Sequence, residues 1–160
     1  MTVYCPPLES SLGLGGHAIS GSSDAAKLVK RLIEEGILHY TEPRICFLVS
    51  DIEQMLNDSI RDVRSEEATP IDMDTARAAI EFAYTLPRSL PAPEVAPEPD
   101  GEISFDWFGQ SGKMFSASVS RTGRVAYAGR FGERSKVHGI EQLSETCPQE
   151  IVRGISKAIR

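Results

Sequence analysis

The sequence predicts an α+β fold: a helical N-terminal half, a proline-rich connector and a small C-terminal unit of three antiparallel strands closed by a helix. Three observations carry this. Apolar residues recur at three- and four-residue steps up to about residue 86. Five of the thirteen residues from 87 to 99 are proline. Beyond residue 100 the apolar period falls from 3.6 to 2.

Residues 1–21 read as a flexible lead, broken by Pro6-Pro7 and the Gly13–Gly16 stretch. The glycines there lack the Gly-Lys-Ser/Thr ending of a phosphate loop. A helical unit spans 22–86. Its first helix is expected over about 24–38, capped by Ser22 or Ser23, with Leu28, Leu32 and Ile33 on one face. The second starts at Pro43, whose missing N–H is harmless in a first turn. Its stripe is Ile45, Leu48, Val49, Ile52, Met55, Leu56, Ile60 and Val63, and its outer face is acidic. The third spans about 71–86, with Thr69 as cap, Pro70 in the first position, and Asp72 and Asp74 near the positive helix end.

Residues 87–99 form the connector, either a spacer or a strap laid over the fold. In polyproline geometry they reach roughly 40 Å at about 3.1 Å per residue. Residues 100–160 form the ββα-type unit. Ile103, Phe105 and Trp107 alternate with Ser104 and Asp106, and Phe115, Ala117 and Val119 alternate with serines. Arg121-Thr122-Gly123 reads as a tight hairpin, with Val125 and Tyr127 beyond it. The result is a meander with one aromatic and one serine-rich face. A loop follows. The last helix begins near Pro148, with Cys147 or Thr146 as cap. Its Ile151, Ile155 and Ile159 should pack on the Trp107/Phe115/Tyr127 side.

The stretch Pro99-Asp100-Gly101-Glu102-Ile103-Ser104-Phe105-Asp106-Trp107, followed by Tyr127-Ala128-Gly129 and Gly139, resembles a group of small uncharacterised bacterial proteins. The resemblance covers about residues 85–160. It implies a bacterial source and a β-meander, and it gives no residue a role.

The composition, 41% hydrophobic and 25% charged, is that of a folded chain. Net charge is −6, which disfavours bulk attraction to nucleic acid or anionic membrane. The charge is uneven: residues 1–99 carry 8 basic and 16 acidic side chains, residues 100–160 carry 9 and 7. Three dispersed cysteines, Cys5, Cys46 and Cys147, form no metal or redox motif and suit a reducing cytosol. His17, His39 and His138 are isolated, so no metal and no cofactor is expected.

Four constellations remain. Asp51, Glu53, Asp58 and Asp62 on the acidic second helix suit a protein partner, with the proline strap and the charge asymmetry as further recognition features. Arg121, Arg124, Arg130, Arg134 and Lys136, near His138, Phe108, Tyr127 and Phe131, suit an anion or single-stranded nucleic acid held by arginine forks and stacked rings. Glu102, Asp106 and His138 would serve acid–base chemistry, although two carboxylates four apart on a strand lie about 13 Å apart. Cys147 at a helix start, with His138 as base, would serve as a nucleophile. The leading expectation is a cytosolic, non-enzymatic interaction protein. The alternative is a nucleic-acid or phosphate-binding module.

Overall fold

The computed structural model describes residues 43–61 and 69–160. The expected lead, the expected helix over 24–38, and Asp62 lie outside the described residues.

Helix α1 spans Pro43–Arg61 and α2 spans Met73–Thr85. The α1 stripe sinks Ile45, Leu48, Val49, Ile52 and Leu56. It packs against α2, which buries Ala76, Ala79, Ile80 and Ala83 along one face. Small side chains there let the helix axes approach closely. The α2 cap is Asp72, not Thr69. Its carboxylate accepts from the Thr75 N–H at 2.8 Å, and the helix starts at Met73, two positions inside the expected start at 71. At the far end Arg44 donates to the carbonyls of Leu86, Pro87 and Leu90 at 3.1, 3.2 and 2.9 Å. It thereby ties down the C-cap and the turn that follows α2, and its charge complements the negative end of the helix dipole.

Among the described residues the sheet has five strands, not three. They are β1 (Glu94–Pro97), β2 (Ile103–Phe108), β3 (Met114–Val119), β4 (Arg124–Arg130) and β5 (Lys136–Gln142), antiparallel and in sequential order. The proline-rich stretch is therefore more than a spacer. Its end pairs with β2, Val95 opposite Phe105 and Pro97 opposite Ile103. Proline is tolerated there because β1 is an edge and its outer side needs no donor. Just upstream, the Pro91 carbonyl accepts from Trp107 Nε1 at 3.0 Å. Part of the expected loop after residue 129 is strand β5. The β3–β4 hairpin turns where expected, with Gly123 at φ +73°.

Helix α3 spans Gln149–Ala158 and begins after Pro148 without a side-chain cap, so neither Cys147 nor Thr146 caps it. It lies across β2, β3 and β4. Ile151, Gly154, Ile155 and Ala158 face the sheet, on the side that carries Trp107, Phe115 and Tyr127, as the pattern requires. Phe82 of α2 meets Phe105 edge to face at 4.9 Å, and Phe115 stacks on Tyr127 at 5.8 Å. Phe105 and Phe115 are fully enclosed, each worth about 2–3 kcal/mol on burial. One continuous core joins the helices to a single face of the sheet.

Candidate functional site

The other face of the sheet carries no helix among the described residues. Strand alternation puts Ala96, Ser104, Ser116, Ser118, Ala126 and Ala128 on it, so its middle is flat. Ala96, Ser104, Ser118, Ala126 and Ile140 form one row across the strands. Glu94, Asp106, Ser116, Ala128 and His138 form the next. A third row is Phe108, Met114, Arg130 and Lys136. Two large apolar side chains stand up from this floor: Phe108 is 59% and Ile140 64% exposed. Phe108 belongs to a strand whose inward residues fill the core, and Ile140 alternates with the half-buried inward residues of β5, so their exposure follows from register.

Charge on this face is segregated. Glu94, Glu102 and Asp106 lie on or beside β1 and β2, while Arg124, Arg130, Lys136 and His138 lie on β4 and β5. The two ends touch once across β3. Glu102 accepts from Arg124 Nη2 and from Ser118 Oγ, each at 2.6 Å. Asp106 accepts from Ser104 Oγ at 3.0 Å.

The expected arginine–aromatic constellation is only partly assembled. Phe108 shares the open face with Arg124, Arg130 and Lys136. Tyr127 and Phe131 point to the helical layer, and Lys157 of α3 sits 4.5 Å over the Phe131 ring. Arg124 is held by Glu102, and Arg121 lies 3.5 Å from Asp72 and 3.8 Å from Asp74. Arg134 is exposed in the β4–β5 turn. Arg130 and Lys136 are a register pair at one corner of this face.

The acid–base constellation does not assemble. Asp106 and His138 share a row, but three strand spacings separate them, about 14 Å. The Cys147–His138 pair fails by topology. His138 stands on the open face, whereas Cys147 packs into the core on the helix side. Burial pushes the Cys147 thiol up to about 11, against a hydrogen bond with Thr85 that draws it down. The helix start does not make it a thiolate.

On α1, Asp51 and Asp58 are exposed along a stripe with Phe47, itself 65% exposed. Glu53 is different. Its Oε1 is enclosed without a hydrogen-bond partner, and burial pushes its carboxyl up to about 7. It belongs to the packing more than to the acidic surface.

A cavity of about 620 Å³ opens between α2 and the β3–β4 turn, walled by Arg77, Glu81, Tyr84, Arg121, Gln142 and Glu145 among others. Its arginines lie beside carboxylates, Arg77 hydrogen-bonded to Glu81 at 3.0 Å and Arg121 in looser ion pairs with the α2 aspartates. No group of three or more His, Cys, Asp or Glu able to hold a metal occurs among the described residues. No helix among them is long and apolar enough to cross a membrane.

The segregated open face was legible only in part. Its serines were visible as an alternating pattern. Its acidic side depends on β1 and its basic side on β5, the two strands the sequence hides. Searches against protein-family models, curated proteins and solved structures find no match for this chain.

Proposed function

We propose that the protein is a cytosolic, non-enzymatic interaction protein of bacterial origin. It would act as an inhibitor or immunity-like partner of a neighbouring enzyme, or as a subunit of a larger assembly. The observation that carries this reading is the open sheet face. It combines a flat floor of alanine and serine, two projecting apolar side chains and charges of both signs sorted to opposite sides. Small central residues allow another surface to approach closely, Phe108 and Ile140 supply buried area, and sorted charge fixes orientation. The Phe47–Asp51–Asp58 stripe of α1 is a second, acidic contact surface for the same role.

The test is purification of the tagged protein from its native host at two salt concentrations, with nuclease treatment. A protein that co-elutes near equal ratio with the wild type, and is lost from Phe108→Ser/Ile140→Ser, supports the sheet face. Retention of the partner by that variant, with loss from Phe47→Ser, moves the contact to α1. Absence of any stoichiometric protein defeats the reading.

One feature favours a second reading. Arg130, Lys136 and Phe108 share one corner of the face, with Arg134 in the adjoining turn, as an anion or a single-stranded nucleic acid would require. Binding by Arg130 and Lys136 would weaken steeply with salt and fall on Arg130→Ala. Equal retention of wild type and variant on a single-stranded oligonucleotide at low salt would exclude it.

A further inference from the structure

We infer that the occupant of the open face is a second copy of this chain, packed face to face about a two-fold axis that runs parallel to the strands through β3. The inference rests on the reading of that face as a docking surface, and names its partner.

The charge pattern selects both partner and orientation. An axis parallel to the strands exchanges the two sides of the sheet and leaves each row in place. Glu94 then lies over His138 of the second copy, and Glu102 over its Arg124. Phe108 meets Arg130, a pairing of ring and guanidinium. Ile140 settles on the strip left low by Ala96 and Ser104. Ser116 and Ser118 face their own equivalents across the axis, where only small side chains allow sheets to pack at about 10 Å. An axis perpendicular to the strands would instead set the acidic side on the acidic side. One arrangement is complementary and the other repulsive, as an isologous interface requires.

The size is also adequate. Five strands at about 4.8 Å and six residues at about 3.4 Å span roughly 24 by 20 Å, about 1,000 Å² over both copies. That is the lower limit for a specific interface, so the dimer is expected to be weak, with a dissociation constant in the micromolar range.

Analytical ultracentrifugation over a concentration series tests this on the full chain. Wild type should pass from monomer to dimer, and added salt should shift the transition to higher concentration. Glu94→Lys/Asp106→Lys leaves Glu102 as the carboxylate on a basic face, and Arg130→Glu/Lys136→Glu makes the face almost uniformly acidic. Each alone should be monomeric, and an equimolar mixture should restore a dimer. Ser116→Arg, which plants a long side chain at the axis, should also be monomeric, with an unchanged circular dichroism spectrum. A dimer that persists in Ser116→Arg uses another surface and overturns the inference. A wild type that stays monomeric at about 100 µM, far above a micromolar dissociation constant, overturns it too. In that case the native-host purification separates the two readings. A partner lost on Ser116→Arg leaves the docking face standing with a different occupant, and no partner at all removes both.

Discussion

Gly154 of α3 lies against the ring of Phe115, so close that a Cβ at 154 would fall on Cε2 and Cδ2. The contact sets how near α3 comes to the sheet. Phe115 is fully enclosed and stacked on Tyr127, so its ring has nowhere to retreat. Gly154→Ala should therefore destabilise by about 2–3 kcal/mol, although alanine is the better helix former by about 1 kcal/mol. Urea unfolding checks this. Adding Phe115→Leu should make the second substitution cheaper than it is alone. Strict additivity of the two would show that they do not touch.

Arg44 holds the C-cap of α2 and the turn after it through three carbonyls. Arg44→Met keeps most of the aliphatic stem and removes every donor. The expected loss is about 2–3 kcal/mol, since three charge-assisted hydrogen bonds to largely enclosed carbonyls vanish and only that of Pro87 keeps a backbone donor, the Leu90 N–H. Arg44→Lys should recover less than half, because one ammonium cannot reach three acceptors in a fork. A neutral Arg44→Met in thermal and urea melts would contradict this.

Glu53 predicts a pH dependence with a definite sign. Its folded carboxyl titrates near 7, against 4.5 for an unperturbed glutamate. Between these values the unfolded chain releases a proton that the folded chain keeps, so stability falls as pH rises through the window. Below 4.5 the penalty is absent, and above 7 it is complete. With allowance for solvent screening of a group that is only partly buried, the difference is about 1–2 kcal/mol. Glu53→Gln should gain that much at pH 8 and nothing at pH 4. Parallel stability profiles for wild type and variant from pH 4 to 8 would refute the assignment.

Cys147 should be a poor nucleophile. With its thiol near 11, only about one molecule in a thousand is a thiolate at pH 8. In a Cys5→Ser/Cys46→Ser background, alkylation by iodoacetamide should rise about tenfold per pH unit up to about pH 10. Fast labelling at pH 7 would restore the nucleophile reading.

The elements legible in the sequence are those whose periodicity and burial agree. The α1 stripe, the α3 isoleucines and the alternation of Ile103-Phe105-Trp107 each name their inward face. Strand β1 was hidden because proline reads as a strap; only its place at the sheet edge makes it a strand. Strand β5 was hidden because its pattern is inverted. Val137, Gly139 and Glu141 point to the helix side, while Ile140 points out. Gly139 stands where a Cβ would strike the Tyr127 hydroxyl, so the inward position had to be empty. A glycine opposite a tyrosine in the neighbouring strand was the available signal. The α2 start moved because Asp72 offers a carboxylate to a free N–H. The acid–base constellation failed on strand spacing, which no residue count reveals without the strand order.

The hydrogen bond from Trp107 Nε1 to the Pro91 carbonyl has an optical consequence. The chain contains one tryptophan, so every photon of indole emission comes from the place where the proline strap meets the sheet. Trp107 is almost fully enclosed and its N–H is engaged, which puts the emission maximum toward the blue. Peeling the strap from β2 would wet the indole and shift the emission red before the helices melt. The protein thus carries its own reporter for the detachment of an edge strand, readable without a label.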